Sequence, residues 1–140
     1  MKRNVWLTVH GEQQYEGMSA DSSDLRVRGT MEETCDGYLL RYEETDGDGK
    51  VTTATRLALA PDCIILTRTG EVTSEMVFAE GKEHTPFYAV PYGTLPVTVK
   101  AESVKRKLDE DGGMLALRYA ITIGGQRGKC ALRIRVRTEE

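Results

Sequence analysis

Apolar and polar residues alternate along most of this chain. Val5, Leu7 and Val9 alternate with Trp6, Thr8 and His10, and Leu25 and Val27 with Arg26 and Arg28. Tyr38, Leu40 and Tyr42 alternate with Leu39, Arg41 and Glu43, and Leu57 and Leu59 share parity with Val51, Thr53 and Thr55. Later, Leu115, Leu117, Tyr119, Ile121 and Ile123 oppose Met114, Ala116, Arg118, Ala120 and Thr122. In the last run Cys130, Leu132, Ile134 and Val136 oppose Lys129, Ala131, Arg133, Arg135 and Arg137. A period of two puts one set inside and the other in water, so each run predicts a half-buried strand.

Turn signals separate the runs: "ADSSD", "CDG", "TDGDGK", "APD", "RTGE", "EGKE", "PYG", "DEDGG" and "GGQRG". Glycine supplies positive φ and Asp tolerates the left-handed region, so such pairs close hairpins. "AESVKRKLDED" carries Val104 and Leu108 at helical spacing, but it follows Leu95, Val97 and Val99 without a stop signal and reads as more strand. A sheet with one apolar face and no helices to cover it closes on itself. The expectation is an all-β fold: one domain, residues 1–140, forming a single antiparallel meandering barrel of about eight to ten strands, its interior packed with side chains or holding one small ligand.

At 140 residues one domain buries about two thirds of the surface its unfolded chain exposes. The net charge of −3 gives no global field for nucleic acid or an anionic membrane, so nucleic acid is disfavoured as a partner and no membrane is expected. No apolar run approaches the roughly 18–20 residues of a membrane span, and "MKRNVWLTVHGEQ" does not read as a signal peptide. Cys35, Cys63 and Cys130 are odd in number and scattered, with no CxxC spacing. Reduced thiols in a cytoplasm are the expectation, with no metal and no cofactor.

The segment from Phe78 to Val136 carries a resemblance. It runs through Phe78 and Gly81, Thr85 and Tyr88, then "YGTL" with Tyr92, Gly93 and Leu95, then Leu108, Gly113, Leu117 and Tyr119. Upstream, a Tyr-Glu-Glu run precedes a Gly-Lys-Val turn in "YLLRYEETDGDGKVTT". Over residues 36–136 the pattern resembles the YwiB-like family of small bacterial proteins of unknown function. The resemblance implies a calycin-like meandering barrel, related in shape to lipocalins and fatty-acid-binding proteins. Its motifs are turn glycines and core aromatics, so it implies a fold and no catalytic residues. The lipocalins' Gly-x-Trp does not occur here, since Asn4 and Val5 precede Trp6.

"EHTPFYAVPYGTLPV" holds three of the four prolines. Pro86 and Pro91 remove two N–H donors, which makes this stretch an edge or a corner. The sharper reading puts His84, Phe87, Tyr88 and Tyr92 at a barrel mouth, and of these His84, Tyr88 and Tyr92 are taken as ligand candidates. Together with Tyr42, Glu44 and Tyr119, which have inward parity, they are the candidate ligand residues. Tyr42, Thr53, Thr55 and Tyr119 are polar groups of inward parity, and buried hydroxyls need partners.

Other chemistry is weakly signalled. "ETDGDGKVTTAT" imitates a calcium loop but has Thr55 where a bidentate Glu is required, so it reads as an acidic hairpin turn. Asp109, Glu110 and Asp111 also sit at a turn, where acids are solvated. No nucleophile elbow or phosphate loop occurs. Lys129, Arg133, Arg135 and Arg137 share one outward face, the candidate surface for a protein or RNA partner. Trp6 is outward too, and pairing of first and last strands would bring Arg133 or Arg135 over its ring. The sequence therefore favours a non-enzymatic small-ligand-binding barrel, monomer or homodimer, with an outer-face interaction module as the alternative.

Overall fold

A computed structural model of the chain describes residues 2–139. Among them there is no helix. The strands are β1 (Lys2–Tyr15), β2 (Asp21–Glu33), β3 (Tyr38–Thr45), β4 (Val51–Leu59), β5 (Ile64–Gly70), β6 (Thr73–Phe78), β7 (Glu83–His84), β8 (Tyr88–Val90), β9 (Gly93–Thr94), β10 (Val97–Asp109), β11 (Gly112–Ile123) and β12 (Gln126–Thr138). Nine are long, within the expected eight to ten. The other three fall in the proline-bearing stretch, where Pro86 and Pro91 interrupt the ladder and leave fragments of two or three residues.

All twelve strands form one antiparallel sheet, ordered β7-β10-β11-β12-β1-β2-β3-β4-β5-β6-β8-β9. First and last long strands pair, with Leu7 opposite Val136 and Val9 opposite Ile134. The sheet curls until β6 approaches β10, and there the chain itself spans the seam. Gly81 N donates to Ala101 O at 2.8 Å and Ala101 N to Lys82 O at 3.2 Å, while a His84 ring nitrogen lies 3.3 Å from Glu75 O. The result is a barrel whose seam is bridged by these few bonds, with residues 102–109 of β10 unpaired by any strand on that side.

Alternation sorts the faces as read. Val5, Leu7, Leu40, Leu57, Ile134 and Val136 are buried, whereas Arg133, Arg135 and Arg137 are exposed. Fully burying each such aliphatic side chain contributes about 1.5–3 kcal/mol. Val51 departs from this order: it is exposed beside the register shift at Glu44 and Thr45.

The helical-looking spacing in β10 has a local cause. Register shifts between Ala101 and Ser103, which flips the inward parity from Val97, Val99 and Ala101 to Val104 and Leu108. Arg106 shares the new inward parity. Its Nη2 donates to Pro61 O at 2.6 Å, tying β10 to the β4–β5 turn at one end of the barrel.

β2 meets β3 only from Gly29, opposite Tyr42, onward to Glu33, opposite Tyr38. Residues 21–28 pair with β1 alone, so the sheet splays between β2 and β3. Gly29 sits at the fork, where a Cβ would lie 2.2 Å from Arg41 O and 2.8 Å from Leu7 Cδ1.

Candidate functional site

The inner face is aliphatic through most of its depth. Met31, Leu40, Leu57, Leu66 and Met76 form one row across β2 to β6 through direct cross-strand pairs. The next row towards the turns has a different character. Tyr42 pairs with Thr55, Thr55 with Arg68, Arg68 with Ser74, and Ser74 with Tyr88. Five consecutive inward positions on β3, β4, β5, β6 and β8 are therefore polar, one of them cationic.

Across the barrel, Tyr119 pairs with Cys130 on the neighbouring strand. Its ring packs on Phe78 at 4.9 Å between centroids. Tyr15, from the end of β1, joins this side. Burial, then Cys130, then Tyr88 hold its hydroxyl above the ordinary tyrosine value.

The electrostatics of this belt are those of a dry, cationic corner. Burial pushes the Tyr42 hydroxyl up, and the Arg68 guanidinium beside it opposes the shift. Burial likewise raises Tyr119, with Cys130 adding to the shift and Arg68 again opposing it. The Cys130 thiol is raised by burial. At neutral pH all these groups keep their protons, so the belt offers hydrogen-bond donors and one positive charge.

Two of its groups are poorly satisfied. Thr55 is 2% exposed and Ser74 3%, and neither hydroxyl oxygen makes a well-formed hydrogen bond, although Thr55 stands close enough to the Tyr42 hydroxyl to oppose its upward shift. Leaving such a group dry and unpaired costs about 1–3 kcal/mol. The ion pairs of the described residues are His10 with Asp24 and Glu12, Arg28 with Glu139, and Lys129 with Glu102. Arg68 has none. Glu44, one row nearer the turn, is half-buried and acts on Tyr42 without reaching Arg68 as an ion pair.

The structure thus brings Tyr42, Tyr88 and Tyr119 to one end of the barrel, with Glu44 at its rim. It does not bring Phe87 or Tyr92 there: Tyr92 is 84% exposed beside β9, and Phe87 is exposed too, between Pro86 and β8. His84 is spent on the seam, against Glu75 O. Arg68, Ser74 and Tyr15 were not singled out from the sequence. The signal was available for the first of these, because Ile64, Leu66 and Arg68 keep one parity in "IILTRTG".

The acidic hairpin is an Asx turn: Asp46 Oδ1 accepts from Asp48 N at 2.9 Å and Lys50 N at 3.0 Å. Among the described residues no group of three or more His, Cys, Asp or Glu could hold a metal.

On the outer face, Trp6 does take arginines over its ring, but from β2 and not from β12. Arg26 lies 4.6 Å and Arg28 5.0 Å from the ring centroid. Arg133 is instead the cross-strand neighbour of His10, and Arg135 of Thr8. That corrects the expected Arg133 or Arg135 contact, since pairing register sets which cation meets the indole. Lys129 holds Glu102 at 2.5 Å. His10 bridges Asp24 at 2.7 Å and Glu12 at 3.3 Å, and these hydrogen bonds raise its pKa above the ordinary 6.5.

Comparison with known proteins agrees with this architecture. The crystal structure of ywiB protein from Bacillus subtilis superposes with a TM-score of 0.84 at 19% identity, covering 99% of this chain and 94% of that one. At that identity the likeness shows the fold alone. In sequence, the uncharacterized beta-barrel protein YwiB of Bacillus subtilis (strain 168) is 28% identical over 90 residues. Those residues are 64% of this chain and 61% of the relative's length, so the chain matches less than two thirds of that relative. A family model, described as "Domain of unknown function (DUF1934)", matches residues 7–134. The chain therefore belongs to that family, the one to which the YwiB-like motifs pointed.

Proposed function

We propose that this protein is a non-enzymatic binding module that holds a small organic anion at the mouth of its barrel, against the belt Tyr42, Thr55, Arg68, Ser74 and Tyr88. One observation carries the reading: two almost fully buried hydroxyls without a well-formed hydrogen bond flank, in register, an inward arginine that has no ion-pair partner among the described residues. Each of these is a cost to the free protein that an acceptor-rich ligand would remove. Fully buried Leu40, Leu57 and Ile64 fill the interior beneath the belt, which favours the mouth over a deep cavity. No general base or activated nucleophile stands among these groups, so they favour holding over reacting.

Thermal unfolding in the presence of octanoate, with octanol as the uncharged control, tests it. Octanoate is expected to raise the melting temperature and octanol not, and Arg68→Met removes the difference. Equal shifts from both compounds, or none from octanoate, would sink the reading.

A further inference from the structure

The outer face carries a second feature, which touches the belt at Tyr42 and Thr55, by the fork between β2 and β3. A groove of ≈ 830 Å³ runs over β2 to β5, with Arg28, Arg41 and Arg56 and the threonines Thr30, Thr67 and Thr69 in its lining. Thr30, Arg41, Arg56 and Thr67 are successive cross-strand neighbours, so its cations stand in a row. A further groove of ≈ 580 Å³ lies over β10 to β2, lined among others by Trp6, Arg26, Lys107, Arg135 and Arg137. Here Lys107, Met114, Arg135, Thr8 and Arg26 form one unbroken register row.

The two grooves adjoin at the stack of Arg26 and Arg28 on Trp6. Seven cations line them against one lining carboxylate, Glu43, and one of the seven, Arg28, is also paired with Glu139 at 3.0 Å. This is the reverse of the chain's net charge of −3, because the acids are concentrated in turns such as 44–48 and 109–111. Eight neighbouring strands, with seven spacings of about 4.8 Å between them, give the track a length of roughly 34 Å along the curve.

We infer that this track binds single-stranded nucleic acid. Six of its seven cations are arginines, whose planar forks match phosphate oxygens, and threonine hydroxyls between them add neutral donors. Trp6 lies midway. Its two arginines are held there by exposed cation–π contacts of about 0.5–1 kcal/mol and, for Arg28, by a surface ion pair with Glu139 of similarly small worth, so they can turn to phosphates and free the indole face for a base. A duplex, stiff over about 50 nm, meets a convex barrel only tangentially, whereas a single strand follows the curve. An acidic peptide also suits an arginine cluster, and residues 21–28, paired with β1 alone, leave a strand edge beside Arg26 and Arg28, but a peptide gives the Trp6 ring no base to stack on.

Trp6 is the only tryptophan, so its fluorescence reports on the track itself. The experiment titrates the full chain with oligouridylate and oligothymidylate of about 12 nucleotides, a duplex of the same length, and polyglutamate of equal charge. The expected result is saturable quenching by a single-stranded oligonucleotide, with affinity that falls as salt rises from about 50 to 200 mM. The uridylate and thymidylate arms tell RNA from DNA, and binding of either supports the inference. Changing Arg41 and Arg56 to Ser lowers the log–log salt slope by roughly 0.7 for each arginine removed, while Lys82→Ser, in an exposed turn outside both grooves, leaves it unchanged. No quenching at low salt, equal affinity for the duplex or for polyglutamate, or an unaltered slope in the arginine variant would each overturn the assignment.

Discussion

Arg41 on β3 and Arg56 on β4 are direct cross-strand partners, cation opposite cation, on the exposed face of the barrel. Like charges in that position cost about 0.2–1 kcal/mol. Arg56→Thr is therefore expected to stabilise the free protein by that amount, seen as a higher urea midpoint at low salt that converges on the wild type as salt screens the pair. A lower midpoint would mean that the arginine makes a stabilising contact of its own.

Thr55 and Ser74 bear the opposite kind of cost. Their hydroxyls are buried without a well-formed hydrogen bond, so the nearly isosteric Thr55→Val should raise unfolding free energy by about 1 kcal/mol, because it deletes a poorly met polar group without opening a cavity. Denaturant titration measures this. A loss of 1 kcal/mol would show that Thr55 already has its partner. If the belt holds anions, the same variant gains stability and loses part of the octanoate response together.

Gly29→Ala should be costly although it adds one methyl. The new Cβ would meet a backbone oxygen, Arg41 O, at 2.2 Å, and neither strand can retreat without opening the β2–β3 pairing. A loss of about 1–3 kcal/mol is expected, as for other overpacked sites. Hydrogen exchange should rise first in residues 29–33, and uniform protection there would contradict this account.

Alkaline pH should weaken the fold through the belt. Tyr42 and Tyr119 lie above the ordinary tyrosine value near 10, chiefly because burial disfavours the phenolate. The folded state thus holds these protons more tightly than the unfolded one. Their contribution is complete below about pH 10 and declines as pH rises through the folded-state values. Urea midpoints between pH 9 and 12 should fall, and less steeply in Tyr119→Phe, which keeps the ring on Phe78. Parallel profiles would remove Tyr119 from the explanation.

Much of the architecture was legible from local pattern. Leu7 and Trp6 declare opposite faces by adjacency alone, because a strand's side-chain period is two. The prolines at 86 and 91 announced a broken ladder for a similarly local reason, having no N–H to give. The site was only partly legible. Tyr42, Tyr88 and Tyr119 stood out as inward or corner aromatics, but nothing near residue 68 says that its arginine will lie between Thr55 and Ser74. Tyr92 looked equivalent to Tyr88 in sequence and ended in solvent, since two residues of β9 cannot carry it back over the barrel.

What the sequence determined by itself is therefore the kind of element and the direction each side chain faces, properties that backbone stereochemistry settles within a few residues. Tertiary structure alone decided which residues became neighbours. Trp6 beside Arg26 and Arg28, Arg41 against Arg56, and the row from Tyr42 to Tyr88 all depend on cross-strand register. Register is chosen by burying every apolar face at once, a condition on the whole barrel that no single strand contains.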